Sequence, residues 1–216
     1  MGLFGNALFP APALGDLESK NQPVPGLASR AEAMMIIPHT NGTDFWLITQ
    51  QVSSSNYSAT LINAASYSGT YTTTNTNGVS AIPLTAANFS FHAGKKKVAV
   101  SAQDTSTDAV ILDFNAATGV FSFDRFILNS GLPTATNQSI YDIEWSLKGD
   151  FLYLSRFGEP GVNADLLQFD YNNVVTTLTS VLPGPVFRRF GVQIAPDTAI
   201  YHLYQTVPGA QIWRVK

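Results

Sequence analysis

Residues 140–155, with the sequence IYDIEWSLKGDFLYLS, decide the fold of this chain. Apolar and aromatic residues fill both arms of the stretch, with Ile143 and Trp145 in the first arm and FLYL at residues 151–154 in the second. Between the arms lies Lys148-Gly149-Asp150, in which Gly149 can adopt the positive φ that a tight hairpin turn requires. The stretch therefore predicts two antiparallel strands joined by a short turn.

The rest of the chain contains weaker copies of this hairpin. The other copies lie at residues 33–38 with 45–49, 89–91 with 98–102, and 190–194 with 200–204. The second strands begin near residues 45, 98, 151 and 200, so the sequence repeats every 50 residues or so. A third strand is predicted after every hairpin, at residues 57–63, 109–114, 165–170 and 211–215. A more polar fourth strand is predicted in three repeats, at residues 67–74, 121–128 and 174–181.

Four short strands in a repeat of this length are typical of β-propeller blades, which bury each other's faces by radial packing. We predict an all-β, β-propeller-like fold of about four four-stranded blades, with repeats near residues 31–80, 85–130, 138–182 and 186–216. An irregular N-terminal arm at residues 1–30 precedes them, because its four prolines exclude a long helix or a central strand. The last repeat ends after its third strand. This is compatible with an open or incomplete ring, whose exposed faces a partner covers, or with a small ring that the arm closes.

The composition narrows the possible functions. The chain has 216 residues, of which 45% are hydrophobic and only 12% charged, with a net charge of −3 and no cysteine. The absence of cysteine excludes disulfides, thiolate metal sites and cysteine nucleophiles. The longest basic run is residues 95–97, so we expect no nucleic-acid partner. No apolar run is long enough for a transmembrane helix, and residues 1–15 do not have the pattern of a secretory signal.

Three of the hairpin stretches have the sequences FSFHAGKKKVAVSAQ, YDIEWSLKGDFLYLS and FGVQIAPDTAIYHLYQ. They resemble the propeller regions, built from tryptophan-aspartate-like repeats, of secreted Bacteroidetes cell-surface proteins. The resemblance covers about residues 31–205 and implies a role at the cell surface, associated with gliding motility or type IX secretion. It brings no catalytic residues with it. The turns depart from the Pro-Asp-Gly of such hairpins, since the fourth has Thr198 in place of glycine, and the chain contains no sorting module.

The candidate polar site consists of Asp142, Glu144, Arg188 and Arg189. The two acids lie two residues apart on a predicted strand, so they share one face of the sheet. Paired carboxylates can act as general acid and base or bind Ca²⁺. They can also link neighbouring blades through a hydrogen bond or an ion pair with Arg156, Arg188 or Arg189. The Arg188-Arg189 pair lies at an innermost strand, where one side chain could face the central channel and contact an anion or a partner.

The positions of the three histidines in the repeats indicate structural roles. His39 and His92 occupy equivalent places, each at the end of a first strand just before its turn, which favours turn packing over a metal site. His202 lies within a strand, which predicts a packed or hydrogen-bonded core residue. We expect no metal and no cofactor, and the motifs of common hydrolases and nucleotide-binding proteins are absent.

We therefore expect a non-catalytic propeller domain that mediates protein–protein association in a bacterial cell-surface or secretion-linked assembly. One alternative is a lactonase- or lyase-like propeller enzyme with Glu144 and an arginine near the central funnel. A second alternative is a glycan-binding module that uses Trp46, Tyr57 or Trp213. The expected location is extracellular or at the cell surface, in which case the chain has lost its signal or is a fragment of a longer protein.

Overall fold

The computed structural model describes residues 29–52, 54–63, 71–75, 87–102, 109–127, 140–156, 165–173, 178–180, 188–206 and 209–215. Almost all of the predicted N-terminal arm lies outside these residues, as do parts of the predicted fourth strands. The described residues form fifteen strands in four antiparallel sheets, and each sheet runs in chain order from its first strand to its last. The all-β prediction is therefore confirmed.

Each sheet corresponds to one predicted repeat and is called a blade below. Blade 1 consists of β1 (Arg30–Pro38), β2 (Phe45–Gln51), β3 (Asn56–Ile62) and β4 (Tyr71–Asn75). Blade 2 consists of β5 (Ala87–His92), β6 (Lys97–Ala102), β7 (Ala109–Asn115) and β8 (Val120–Ile127). Blade 3 consists of β9 (Ile140–Trp145), β10 (Phe151–Arg156), β11 (Asp165–Asp170) and β12 (Leu178–Ser180). Blade 4 consists of β13 (Arg188–Ile194), β14 (Ile200–Thr206) and β15 (Gly209–Val215).

The turns that join the first two strands of the blades share one backbone feature. Each contains one residue with positive φ, which is Gly42, Lys96, Gly149 or Thr198 in blades 1 to 4. The amide of that residue donates to the carbonyl three residues earlier, as in Gly149 to Ser146 at 2.8 Å and Thr198 to Ala195 at 2.8 Å. The positive φ predicted for Gly149 is confirmed at 70°. Two blades adopt the same conformation without glycine, at a cost in backbone strain.

The first strands of the blades lie side by side. In the described part of the chain, β1 packs beside β5, β5 beside β9 and β9 beside β13. All strand pairs in extensive contact belong to one blade or to successive blades, and none joins blade 4 to blade 1, so the described blades form an open arc. The other predicted arrangement, a ring closed by the N-terminal arm, depends on residues outside the described part of the chain and stays a prediction.

Side chains alternate between two faces of each blade, one toward the preceding blade and one toward the following blade. On β10, Leu152 and Leu154 belong to the core between blades 2 and 3, whereas Tyr153 and Ser155 face blade 4. The cores between blades 1 and 2 and between blades 2 and 3 are large and apolar. The core between blades 3 and 4 is smaller, with Leu166, Val192 and Ile200 as its buried apolar residues.

Candidate functional site

The two predicted carboxylates lie on β9, the innermost strand of blade 3. Asp142 is paired with Ser155 and Glu144 with Tyr153 on β10, so both acids lie on the face toward blade 4. Their side chains bend toward the free edge of β9, where the strand has no hydrogen-bonded neighbour on the inner side. The main-chain N–H groups at such an edge need acceptors. Two acidic side chains beside them can supply these acceptors.

Glu144 connects three blades. Its Oε1 accepts a hydrogen bond from the Ser90 hydroxyl of blade 2 at 2.9 Å and one from the Trp145 amide of its own strand at 3.1 Å. The carboxylate also accepts a main-chain hydrogen bond from Ile194 of blade 4. The Trp145 amide is shared, since it also donates to the Ser90 hydroxyl at 3.1 Å. Glu144 therefore holds the inner strands β5, β9 and β13 together.

Asp142, two residues before Glu144 on β9, also links blade 3 to blade 4. Its Oδ2 accepts a hydrogen bond from the Val192 amide of blade 4 at 2.7 Å, and its Oδ1 accepts one from the Ile143 amide at 2.9 Å. Gly191 lies so close that a Cβ there would be 3.5 Å from Oδ2. The carboxylate thus supplies acceptors to the main chain of its own strand, β9, and of the neighbouring inner strand β13.

Blade 2 uses the equivalent positions in the same way. Asn88 and Ser90 precede the closing residue of their hairpin, His92, by four and two residues, as Asp142 and Glu144 precede Ser146. Asn88 donates to the Tyr141 carbonyl at 2.9 Å, and Ser90 accepts from the Trp145 amide. We call Asn88, Ser90, Asp142 and Glu144 the inner latch. These contacts recur at equivalent positions of blades 2 and 3. Linking neighbouring blades is therefore enough to explain why both carboxylates are present.

A cavity of about 450 Å³ opens beside the inner latch. Side chains from four strands line it, and the polar ones are Asn88, Asp142, Glu144, Gln193 and Tyr201. The Tyr201 hydroxyl donates to Asp197 at 3.0 Å. Polar groups therefore converge near the inner strands, as an enzyme site would require, but the carboxylates already accept hydrogen bonds from the main chain.

Burial changes the protonation of both acids. It raises the pKa of Asp142 to about 6, against the opposing effect of the hydrogen bonds from Val192 and Ile143. It raises the pKa of Glu144 to about 7; the Ser90 hydrogen bond lowers this pKa, and the neighbouring Asp142 charge raises it. A carboxyl group with a pKa near neutrality can exchange a proton under ordinary conditions.

In the described residues, Glu144 and Asp142 accept hydrogen bonds from Ser90 and from main-chain amides. Arg156, one of the arginines predicted to pair with them, is a buried residue at the end of β10. Arg188 and Arg189 lie on β13 opposite Gln205 and Tyr204, and their side chains are outside the described part of the structure. Their pairing with the acids and their role at the central channel therefore stay predictions.

Two of the three aromatic residues predicted to contact glycans belong to the core, so that prediction is wrong for them. Trp46 is buried between blades 1 and 2, and its indole N–H donates to the Ala116 carbonyl at 2.8 Å. Tyr57 is fully buried in the same cluster and packs against Phe121. Both point toward blade 2, which the sequence alone does not reveal. Trp213 lies on β15 opposite His202 of β14, and its side chain lies outside the described part of the structure.

The histidines have the structural roles that the sequence favours. The Nδ1 atom of His39 accepts a hydrogen bond from the Asn41 amide at 3.0 Å, and that of His92 accepts one from the Lys95 amide at 3.1 Å, so each ring closes its own turn. His202 is fully buried and hydrogen-bonded to Ser155 across the contact between blades 3 and 4, at 3.1 Å. The predictions of turn packing and of a core histidine are confirmed.

The described residues contain no group of three histidine, aspartate or glutamate side chains that could hold a metal ion. They also contain no helix that is long and apolar enough to cross a membrane. A larger cavity of about 770 Å³ lies at the turns between blades 1 and 2, with Lys96 and Asp113 as its charged residues. Turn residues and strand ends form its walls in about equal parts, and most of its lining residues are uncharged.

The two ends of the arc carry exposed apolar residues. On the outward face of blade 1, Met34, Ile36 and Phe45 are 71%, 51% and 44% exposed. We call these three residues the open face of blade 1. Further out on the same face, Ser58 and Thr60 are buried, so the exposed part is the inner end. The outward residues Gln193, Tyr201 and Leu203 form the open face of blade 4, where Leu203 is 40% exposed.

Comparison with known proteins supports the fold. Neither the protein-family models nor the curated proteins give a match. Among solved structures, the chain is similar to the Cps50 (Swd1) beta-propeller domain of Myceliophteria thermophila, with a TM-score of 0.56 and 13% identity over 87% of this chain. It is also similar to the pyranose dehydrogenase PQQ domain of Coprinopsis cinerea, with a TM-score of 0.56 and 15% identity over 88% of this chain.

A third similar structure is the PQQ-bound aldose sugar dehydrogenase of Streptomyces coelicolor, with a TM-score of 0.51 and 15% identity over 82% of this chain. The chain spans about half the length of these structures, namely 54%, 48% and 57% of each. At such low identity the likeness shows the fold alone, because propellers host unrelated functions. The described blades are therefore those of an incomplete β-propeller.

Proposed function

We propose that this chain is a propeller module that associates with protein partners through the open faces of its arc. The observation that carries the proposal is the exposure of Ile36. Its equivalent in blade 3 is Ile143, which lies at the same distance from the hairpin turn and is only 1% exposed because blade 2 covers it. A contiguous apolar surface at a place that is buried elsewhere in the repeat is typical of an interaction site.

The same comparison holds for the neighbouring strand. Phe45 of blade 1 is 44% exposed, whereas its equivalents Val98 in blade 2 and Leu152 in blade 3 are fully buried against the preceding blade. Burying an exposed aliphatic or aromatic side chain is worth about 1.5–3 kcal/mol. A partner that covers this face therefore has a substantial source of binding energy.

A photo-crosslinking amino acid at position 36 tests this function in the source cell. We expect a crosslinked adduct whose mass includes a protein partner, and its identity follows from mass spectrometry. The matched control places the same amino acid at Val120, which is also exposed and apolar but lies on the outer strand β8. The absence of an adduct at position 36, or equal adducts at both positions, would contradict the proposal.

We propose a cell-surface or secretion-linked setting for this association. The support is the resemblance of three blade hairpins to propeller regions of secreted Bacteroidetes surface proteins. Protease treatment of intact source cells tests the location, with the same treatment of lysed cells as the control. Digestion in lysed cells only would contradict a surface location.

The cavity beside the inner latch supports a second candidate function, a propeller enzyme of lactonase or lyase type. The supporting observation is that Asp142 and Glu144, whose pKa values are near neutrality, line a cavity of about 450 Å³. A panel of lactones and uronate oligomers tests it, with Glu144→Gln as the loss-of-activity variant and Glu32→Gln, which alters an exposed residue of β1, as the control. No turnover by the unmodified chain, or turnover equal in all three proteins, would rule out chemistry at this site.

A further inference from the structure

The open faces of blades 1 and 4 are the two opposite sides of one repeating contact. Tyr201 of blade 4 pairs with Gln193 as Tyr153 of blade 3 pairs with Glu144, and Leu203 and Ser155 each follow two residues later on the same face. Ser155 is fully buried against the following blade, whereas Leu203 is 40% exposed. The open face of blade 4 is therefore the side that a following blade covers elsewhere in the arc.

The open face of blade 1 is the complementary side. The contacts inside the arc always join the face of one blade to the opposite face of the next, such as Ala99 of blade 2 to the cluster containing Leu152 of blade 3. At the two ends of the arc no blade covers these faces. Leu203 and Tyr201 remain uncovered on blade 4, and Ile36 and Phe45 on blade 1. Leu203 stands where blades 2 and 3 have the buried serines Ser101 and Ser155, so this end is more apolar than its equivalents.

A second copy of this chain can cover these faces, because its blade 1 offers the side that blade 4 leaves uncovered and its blade 4 offers the side that blade 1 leaves uncovered. Two arcs of four blades make eight, within the common range for propellers. A contact between unlike faces that forms twice around a two-fold axis closes a ring without leaving free edges.

We propose that two copies of this chain associate head to tail, so that the open face of blade 4 of each copy packs on the open face of blade 1 of the other. This inference rests on the proposed function, because it names the partner of the same surface. In this head-to-tail arrangement the centre of the interface is apolar, with Leu203 and Tyr201 opposite Ile36 and Phe45. The two interfaces are identical by symmetry.

Charge substitutions on the two faces test the pairing. The 216-residue chain has a mass of 23.3 kDa, and light scattering should give twice that value. Ile36→Lys and Leu203→Glu should each weaken self-association at least about tenfold, because each buries an unpaired charge in both interfaces. An equimolar mixture of the two variants should recover the two-copy species, since one interface is then unmodified and the other pairs lysine with glutamate.

Each outcome decides the proposal. Val120→Lys on β8 is the matched control and should leave the mass doubled. A monomeric parent chain overturns the second-copy partner while leaving the crosslinking test at position 36 open to another protein. Disruption by Ile36→Lys alone, with no effect of Leu203→Glu and no recovery in the mixture, indicates contact between like faces and overturns the head-to-tail arrangement. Met34→Lys, at the most exposed position of the face, repeats the test if Ile36→Lys does not fold.

Discussion

Glu144→Gln should make the protein more stable at alkaline pH and flatten the pH dependence of its stability. The pKa of Glu144 rises from 4.5 to about 7 on folding, because burial disfavours the charged carboxylate. Between these values the folded chain binds more protons than the unfolded chain, so the free energy of unfolding falls as pH rises. The stabilising contribution is complete below pH 4.5 and is lost once pH passes 7.

The magnitude follows from the same shift. At 1.36 kcal/mol for each pH unit between 4.5 and about 7, the unmodified chain loses about 3 kcal/mol between pH 4 and pH 8 through this residue. Glutamine cannot ionise and avoids that loss. Its amide has one acceptor oxygen for three donors, from Ser90, Trp145 and Ile194, and one lost hydrogen bond costs about 1 kcal/mol. The variant should therefore gain about 2 kcal/mol at pH 8 and lose about 1 kcal/mol at pH 4.

Urea denaturation followed by tryptophan fluorescence at several pH values between 4 and 9 measures the effect. Glu32→Gln on β1 is the control, because it removes a carboxylate from an exposed position. The argument is refuted if Glu144→Gln shows the same dependence on pH as the parent chain. It is equally refuted if the variant is less stable than the parent at pH 8.

Three further substitutions test the packing and the turns, each by the midpoint of urea denaturation. Gly119→Ala should destabilise the fold by about 2–4 kcal/mol, because φ is +72° and the new Cβ would lie 2.9 Å from the Trp46 ring. Gly42→Ala is the control: φ is similar at +79°, but the space around the new Cβ is open, so it should cost only about 1 kcal/mol. Thr198→Gly should stabilise the fold by about 0.5–1 kcal/mol. The substitution removes the strain of a β-branched residue in the left-handed region, with φ +66°, and this gain exceeds the entropy that the more flexible glycine loses on folding. Ser155→Ala should cost about 1–3 kcal/mol through its buried hydrogen bond to the histidine of blade 4, and an unchanged midpoint would contradict that role.

Most of the fold was predictable from the sequence because its signals are local. The 140–155 stretch predicts its strands from alternating apolar residues and its turn from Gly149, and the structure has strands at Ile140–Trp145 and Phe151–Arg156 with φ +70° at Gly149. The spacing of the copies predicts the four blades for the same reason. Strand ends shifted by one to three residues where pairing extended a strand, as at Arg30–Pro38.

The candidate site was predictable only as a pair of residues. The spacing of Asp142 and Glu144 places both on one face, which the structure confirms. Their partners were missed because Ser90 and Val192 are about 50 residues away, and because a main-chain amide at a strand edge has no sequence signature. Comparing positions across the repeats would have found Ser90, which stands two residues before its turn as Glu144 does.

The sequence by itself determined the repeat, the strands, the turns and the absence of cysteine chemistry, because each depends on residues close together in the chain. Only the tertiary structure decided which face of each strand is covered, and that choice separates buried Trp46 from exposed Ile36. It also decided that the two carboxylates connect blades, because blades from different repeats bring unpaired amides within hydrogen-bond distance of them. Strand alternation gives two equivalent faces, and only neighbours from other repeats distinguish a core face from an open one.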